Sequence, residues 1–158
     1  MNEETAIFPE NLTFSSKTFL NLLESIVKHF GPAGEPIVFQ MGRENGVAFC
    51  REVLSTIDHH GASLQELFGL VLRNASKVGW ANMEIEEFNH QTGNIRVVLK
   101  DNTFKDFCLQ RNLPQCFFLR GYLAGIIKEL SNVDYLPSHS GCYAEGHEHC
   151  SIKLVASN

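Results

Sequence analysis

Hydrophobic positions along the first half of the chain follow a helical spacing. Apolar side chains recur every three or four residues over 14–30 and again over 37–57, which predicts two amphipathic helices. Ser63, with Glu66 three residues later, is a capping-box pattern that opens a third helix ending near Gly79. Between the first two helices, Gly31 and Pro32 are expected to end the first one, and residues 34–36 to form a loop.

The second half of the chain changes to an alternating pattern, interrupted by one further helix. Residues 80–88 and 95–100 alternate apolar and polar side chains, which predicts a β-hairpin. A nearly apolar helix is predicted over 114–130, with Pro114 in its first turn. Residues 133–144 and 148–156 form a second predicted hairpin. The pattern as a whole predicts an α+β fold, in which a mostly antiparallel four-stranded sheet packs against about four helices.

Two pairs of glycines are spaced four residues apart within predicted helices. Gly42 and Gly46 lie in the second helix, and Gly121 and Gly125 lie in the apolar helix. A glycine lacks a side chain, so it allows a second backbone to approach closely. We expect both pairs to mark close packing against a neighbouring element.

Length and charge narrow the class of protein. The 158 residues are expected to form a single domain, residues 1–158, because this length can bury a sufficient core. A net charge of −5 without a run of Lys or Arg argues against nucleic-acid binding. The longest apolar run, near 116–127, is too short for a membrane span, and the acidic amino terminus does not match a signal peptide. A cytoplasmic protein is therefore expected.

The richest cluster of candidate chemistry is residues 138–150, which contain two cysteines, three histidines and two glutamates. If the turn of the second hairpin centres on Gly146, then Cys142 lies opposite Cys150 on the inward face of the sheet. Thiolate and imidazole ligands together favour zinc. With Cys116 and one histidine, these cysteines would complete a four-ligand structural zinc site.

The sequence offers three histidines as the fourth ligand of this site. His139 lies three residues before Cys142, so in a regular strand the two side chains would point to opposite faces. A β-bulge at residues 140–141 would turn them to the same face. His147 and His149 are the alternative ligands.

Two other interpretations of the cysteines remain open. They can be small buried hydrophobic residues beside solvated histidines, or a cross-strand pair that oxidises reversibly. The odd number of cysteines, five in all, argues against a disulfide framework.

A second candidate site is a pocket for a small apolar molecule. Twelve phenylalanines, one tryptophan and three tyrosines occur in the chain, and several of them cluster around the apolar helix. Such side chains line most ligand pockets, although they also form ordinary aromatic cores. The sequence contains no phosphate loop, nucleophile elbow or His-Glu-x-x-His motif, so nothing in it requires an enzyme.

The segment from Cys116 through residues 120–125 to residues 141–152 resembles the 4-vinyl reductase domain family. The cysteine-glycine-cysteine hairpin at the carboxyl end is its most specific mark. This family includes stand-alone proteins and the sensor domains of phenol-responsive and xylene-responsive activators, and its fold resembles small trafficking-complex subunits. The resemblance implies helices on an antiparallel sheet, a frequent homodimer, and a small hydrophobic or aromatic ligand beside a structural zinc.

The resemblance also implies roles for individual residues. In the phenol sensors three cysteines and a carboxylate hold the zinc; Cys116, Cys142 and Cys150 match the cysteines, and His139 replaces the carboxylate. The phenol sensors hold the ligand hydroxyl with a histidine and a tryptophan. Trp80 matches the tryptophan, but no residue here matches the histidine, which favours a more apolar or larger ligand. The expected pocket residues are Trp80, Phe104, Phe107, Leu119, Tyr122, Leu123, Ile126 and Tyr135.

These observations favour a sensor-like, ligand-binding module with a structural zinc. The family name supports one alternative, a reductase or an accessory protein in the reduction of tetrapyrrole vinyl groups. The sequence carries no nicotinamide or flavin fingerprint for that reaction. A ligand-free interaction scaffold is the other alternative.

Overall fold

The computed structural model describes residues 15–111 and 116–157 and confirms the α+β fold. The elements follow one another as α1 (Ser16–Phe30), α2 (Gly34–Ser55), α3 (Leu64–Val78), β1 (Asn82–Phe88), β2 (Ile95–Lys100), α4 (Lys105–Arg111), α5 (Phe117–Ser131), β3 (Tyr135–Gly141) and β4 (Cys150–Ala156). The predicted starting points Phe14 and Pro114 lie outside the described residues. The short helix α4 was not predicted from the sequence.

Local signals at helix ends act as expected. The Ser15 side chain accepts a hydrogen bond from the Thr18 amide at the start of α1. At the start of α3, Ser63 and Glu66 form the reciprocal capping box, and Gly79 ends that helix with a φ of +98°. The sequence signals therefore fix the limits of α3 at both ends.

The predicted loop at residues 34–36 was wrong, because α2 already begins at Gly34. Pro36 is tolerated there, since the amides of the first helical turn have no intrahelical acceptor. A Cβ on Gly34 would lie 2.6 Å from the Cα of Val27, so α1 and α2 meet at backbone distance directly after a 3-10 turn. Close packing between the two helices is therefore the reason for a glycine at this corner.

The helices α2 and α5 pack backbone to backbone, which confirms the role expected for the four glycines. A Cβ on Gly42 or Gly46 would overlap a carbonyl oxygen of α5, and a Cβ on Gly121 or Gly125 would overlap a carbonyl oxygen of α2. This seam brings α5 into the centre of the molecule, where nine of its residues are buried.

The four strands form one antiparallel sheet in the order β1-β2-β4-β3. Inward side chains of β2 and β4 alternate with exposed ones, so the helices cover one face of the sheet. The register of β3 on β4 shifts between His139 and Gly141, so the structure contains the bulge at residues 140–141 that would bring His139 and Cys142 to the same face. None of the described helices combines the length and the apolarity needed to cross a membrane.

Candidate metal centre and aromatic core

Four buried cysteines from three parts of the chain meet at one end of the sheet. Cys108 lies on α4, Cys116 directly precedes α5, Cys142 directly follows β3, and Cys150 begins β4. The three cysteines predicted to form the site are thus brought together. Cys108 joins them, although it was not predicted to do so.

Three pairs of these sulfur atoms lie at or near the spacing of a tetrahedral zinc site. The Sγ atoms of Cys108 and Cys116 are 3.8 Å apart, those of Cys116 and Cys150 are 3.9 Å apart, and those of Cys142 and Cys150 are 3.5 Å apart. The sulfurs of Cys108, Cys142 and Cys150 all lie within 4.8 Å of one another. Because a zinc–sulfur bond is about 2.3 Å long, tetrahedral coordination places the sulfurs about 3.8 Å apart. The donor set and its spacing therefore fit zinc.

The thiols of the cluster also differ in pKa. Hydrogen bonds from the Cys108 and Cys116 thiols lower the pKa of Cys150, and a hydrogen bond from Cys116 lowers the pKa of Cys142. Hydrogen bonding to Cys108 and the other thiols, together with burial, raises the pKa of Cys116. The two hairpin cysteines are therefore the more acidic thiols of the cluster, and the deprotonated thiol is the form in which cysteine binds a metal.

The bulge at Ser140 sets the orientation of the hairpin cysteines. Beyond it, Gly141 pairs with Ser151, so that Cys142 comes to lie opposite Cys150. The chain then turns through a short 3-10 segment, and Gly146 adopts a φ of +83°, a conformation that favours glycine. The carbonyl of Cys142 accepts hydrogen bonds from the amides of Glu145 and His147, which fixes the turn against the cysteine.

His139 lies at the rim of this cluster. It pairs with the inward-facing Ile152, so the bulge places it on the side of the cysteines, as expected. Its Nε2 lies 3.2 Å from the carboxylate of Glu145, and about two fifths of the side chain is exposed. Over the described residues, the group of candidate ligand atoms that all lie within 4.8 Å of one another consists of Cys108, Cys142 and Cys150; it includes neither His139 nor Cys116. The imidazole therefore stands beside the sulfurs, with a carboxylate partner of its own.

The other two histidines of the hairpin lie by a different surface. His147 and His149 line an open cleft of about 440 Å³ on the outer face of the sheet, together with charged side chains such as Arg96 and Lys100. A Cβ on Gly141 would touch the His147 ring at 3.3 Å, so this ring covers the bulge. These histidines therefore line the outer cleft of the sheet.

Sequence reasoning missed Cys108 for an identifiable reason. Helix α4 has seven residues, which is too short for a periodic pattern to reveal it. The available signal was that two of the five cysteines, Cys50 and Cys108, had no assigned role, and that Cys108 lies only eight residues before Cys116. Cys108 joins the cluster because α4 turns its side chain inward, towards the sulfur of Cys116.

The side chains predicted to line a ligand pocket form the core between helices and sheet. Phe104, Leu119, Tyr122, Leu123 and Ile126 are fully buried, Tyr135 is nearly so, and Trp80 and Phe107 are half-buried. Aromatic rings contact one another throughout this region: the centroids of Trp80 and Phe118 are 5.0 Å apart, and Phe19 of α1 lies 5.1 and 5.0 Å from these two rings. These side chains are packed against each other, with α1 as their cover.

One polar atom inside this aromatic core has no partner. The hydroxyl of Tyr122 is buried and makes no hydrogen bond within the part of the chain that the structure describes, and burial raises the pKa of this phenol. Its ring packs near those of Phe49, Trp80 and Phe118, at centroid distances of 5.8, 6.2 and 6.3 Å. A buried hydroxyl without a partner is unfavourable by about 1–3 kcal/mol. It is therefore a candidate anchor for a polar group of a bound molecule.

A groove of about 380 Å³ runs between α1 and α4, beside this core. Half-buried Phe107 and Leu20 contribute its apolar surface, and Lys17, Glu24 and Asp106 are among its polar residues. Leu20 and Thr103 of the groove directly adjoin Phe19 and Phe104 of the aromatic core along the chain. The groove therefore borders residues that neighbour the aromatic core in sequence.

Comparison with known proteins reveals similarity at the level of the fold. No family model matches the sequence, and no curated protein matches it either. Among solved structures, the phenol-responsive sensory domain of the transcription activator PoxR, in complex with phenol, has a TM-score of 0.78 at 19% identity, covering 92% of this chain and 76% of that one. A trafficking protein particle complex subunit 3 from Naegleria fowleri, covalently bound to palmitic acid, has a TM-score of 0.71 at 15% identity, covering 90% and 93%.

A third similar structure is a vinyl-4-reductase family protein from Methanocaldococcus jannaschii, with a TM-score of 0.53 at 17% identity, covering 94% of this chain and all of that one. The chain therefore has a 4-vinyl reductase-like fold, as its sequence resemblance implies. This fold is shared with sensory domains and a trafficking subunit, so it leaves the function to be argued from the sites.

Proposed function

We propose that this chain is a ligand-binding module in which four cysteines hold a structural zinc and the aromatic core beneath α1 takes up an apolar or aromatic molecule. The observation that carries ligand binding is the Tyr122 hydroxyl, a buried donor without a partner inside a cluster of rings. Apolar burial supplies most of the affinity of such a pocket, and a single polar group sets the orientation of the ligand.

The proposed zinc ligands are Cys108, Cys116, Cys142 and Cys150. Cys108 is preferred over His139 as the fourth ligand because its sulfur lies 3.8 Å from that of Cys116, whereas His139 is paired with Glu145. Zinc held in this way would tie α4 and the start of α5 to the second hairpin. Zinc titration of Cys108→Ser and His139→Ala distinguishes the two: we expect only the first to lose high-affinity binding, and the reverse result would return His139 to the site.

Binding of a ligand requires the rings to separate, because they fill the core. Helix α1 is the element best suited to move, since Leu23 is its only fully buried side chain in the described structure. Two proteins of similar fold were solved with phenol and with covalently bound palmitic acid, respectively. This range of occupants supports a core that adapts to apolar molecules.

Native mass spectrometry of the freshly purified chain, with metal analysis of the same sample, tests the whole proposal. We expect one zinc per chain, a homodimer, and an additional apolar mass. A metal-free chain without a bound mass would contradict the proposal and favour an interaction scaffold. Because the three quantities are read separately, failure of the zinc and failure of the ligand remain distinguishable.

A matched pair of small probes tests the role of Tyr122. Toluene and p-cresol have similar size, but only p-cresol carries a hydroxyl that can pair with the Tyr122 hydroxyl. Trp80 is the only tryptophan of the chain and adjoins this ring, so its fluorescence reports binding. We expect Tyr122→Phe to weaken p-cresol binding about tenfold and to leave toluene binding unchanged. Equal effects on both probes would remove Tyr122 from the site.

A further inference from the structure

Arg120 is a cation whose environment the fold does not explain. It lies on α5, one turn after Cys116, with a half-buried side chain. One guanidinium nitrogen, Nη2, donates a hydrogen bond to the carbonyl of Pro137 at 3.1 Å, and the group lies over the Phe117 ring at 5.6 Å. The Nε atom is buried and has no hydrogen-bond partner in the described structure.

This arrangement calls for an anionic partner. Arg43, Arg51 and Arg96 each form an ion pair with a carboxylate, whereas the ion pairs found among residues 15–111 and 116–157 include none for Arg120. A buried donor without an acceptor loses the hydrogen bond it made to water, and the penalty is larger for a charged group. An acceptor for Nε is therefore expected.

The geometry restricts where that acceptor lies. Nε has no contact with solvent, so its acceptor belongs to the interior and not to the open groove that the rest of the side chain borders. On its inner side, Arg120 lines a small cavity of about 10 Å³ together with Cys116, Cys142 and Cys150. The same cavity is also lined by His139, Gly141, Ser151 and Ile152, so the cysteine sulfurs are the groups bordering it that become anionic when they bind a metal.

A metal centre that holds zinc would supply the negatively charged hydrogen-bond acceptor that Arg120 lacks. A zinc ion with four thiolates carries a formal charge of about −2, and a thiolate sulfur accepts hydrogen bonds. Excess negative charge in a buried site is unfavourable unless a cation offsets it. Groups that contact metal ligands in this way commonly change metal affinity by about 10- to 100-fold.

We propose that Arg120 is the charge-compensating residue of the metal centre, with its Nε–H donating to a cysteine thiolate. This inference rests on the proposed zinc site. The Phe117 ring and the Pro137 carbonyl hold the guanidinium in place, so the cation is oriented before metal binds. The role also holds if His139 is the fourth ligand, because three thiolates still leave the centre negative.

Zinc affinity of three variants, measured by competition with a chelator, tests the proposal. We expect Arg120→Gln, which keeps a donor but loses the charge, to bind zinc about 10- to 100-fold more weakly. Arg120→Lys retains the charge and should recover a large part of that loss. Arg51→Gln is the matched control, because Arg51 is an exposed arginine paired with Glu129 and does not line the cavity beside Cys116, Cys142 and Cys150, and it should bind as the unmodified chain does.

Two outcomes would overturn the inference. One is an Arg120→Gln variant that binds zinc as tightly as Arg51→Gln; the other is an Arg120→Lys variant as weak as Arg120→Gln, which would point to packing and not to charge. An unmodified chain that binds no zinc would refute the metal site itself, and this is observed before any substitution is made.

A spectroscopic measurement on the unmodified chain covers the case in which the variants do not fold. With ¹¹³Cd in place of zinc, we expect the Arg120 Nε–H proton to show scalar coupling to the metal through the N–H···S hydrogen bond. We also expect this proton to exchange with solvent more slowly than in the metal-free chain. An uncoupled proton with the same exchange rate in both forms would contradict the proposal.

Discussion

The α2–α5 seam and the contact of α1 with the aromatic core are two helix interfaces built on opposite principles. In the seam, four glycines bring the backbones together, and an added Cβ at any of them would overlap a carbonyl oxygen. Beneath α1, by contrast, the interface consists of side-chain rings, with Phe19 in contact with Trp80 and Phe118. Backbones cannot rearrange locally, whereas side chains can change rotamer.

This difference separates a fixed frame from a part that can open. Helix α5 carries Tyr122 and Arg120 and is held by the seam, so the candidate anchors of ligand and metal share one rigid support. Helix α1 closes the same core through side chains near Phe19, while its backbone meets α2 at the other end, at Val27 and Gly34, so the end that carries Phe19 is the part that can separate. The comparison predicts that substitutions in the seam affect folding, while those beneath α1 affect access.

The largest effect is expected for Gly121→Ala in the seam. Its new Cβ would overlap the carbonyl oxygen of Phe39, and the helices would have to move apart, which should lower the free energy of unfolding by about 3 kcal/mol or more. Gly69→Ala on α3 is the control, because its Cβ would meet only side-chain atoms at 3.4 Å and beyond. That change should stabilise the chain by about 0.5–1 kcal/mol. Urea unfolding measures both, and equal effects would refute a special seam.

A smaller and more local effect is expected for Phe19→Ala. Removing a half-buried ring should lower stability by about 2 kcal/mol, less than for a fully buried phenylalanine. Hydrogen exchange should accelerate in α1 while α5 stays protected, because the seam does not depend on this ring. Acceleration in both helices alike would show that α1 is part of the frame.

Tyr122→Phe is expected to have an effect of the opposite sign. Because the hydroxyl is buried without a partner, its removal should raise the free energy of unfolding of the ligand-free chain by about 1 kcal/mol. Thermal or urea unfolding of protein stripped of ligand gives this value. A loss of stability would mean that the hydroxyl has a partner in solution.

The smallest of these effects on stability at neutral pH is expected from ionisation of the Cys50 thiol. Cys50 lies on α2 and is fully buried. Burial raises the pKa of this thiol to about 12, so the folded chain favours its protonated form. The resulting stabilisation is complete below the unfolded pKa near 9 and is lost as the pH rises towards 12. Cys50→Ala should flatten the fall in stability over this range, and an unchanged slope would assign the fall to other groups.

The parts of the molecule that sequence predicted are those with strong local signals. The capping box of α3 and the glycine pairs were confirmed because each depends on local sequence chemistry, and the structure contains the bulge that the His139 interpretation required. The ligand set of the site remains a prediction. Cys116, Cys142 and Cys150 were brought together as expected, whereas His139 remains a predicted ligand with a carboxylate beside it.

What sequence did not predict depends on three-dimensional packing. Cys108 reaches the cluster through a helix too short to have a period, and the missing partner of Arg120 is visible only when the packing is complete. The loop expected at residues 34–36 was wrong because glycine and proline usually break helices, while here Gly34 serves the contact with α1. Aromatic composition predicted that the rings cluster, but their separation by a ligand remains a prediction.

The bulge that orients the cysteines also has a consequence for the solubility of the protein. β3 is one edge of the sheet, and an unprotected edge can add a strand from another molecule and begin an aggregate. Pro137 lacks an amide hydrogen, and the bulge at Ser140 interrupts the regular edge. The opposite edge, β1, carries a bulge at Glu86, between two register positions, and three glutamates along seven residues. Both edges of the sheet therefore resist the addition of a strand from another molecule, which lowers the tendency of the protein to aggregate at high concentration.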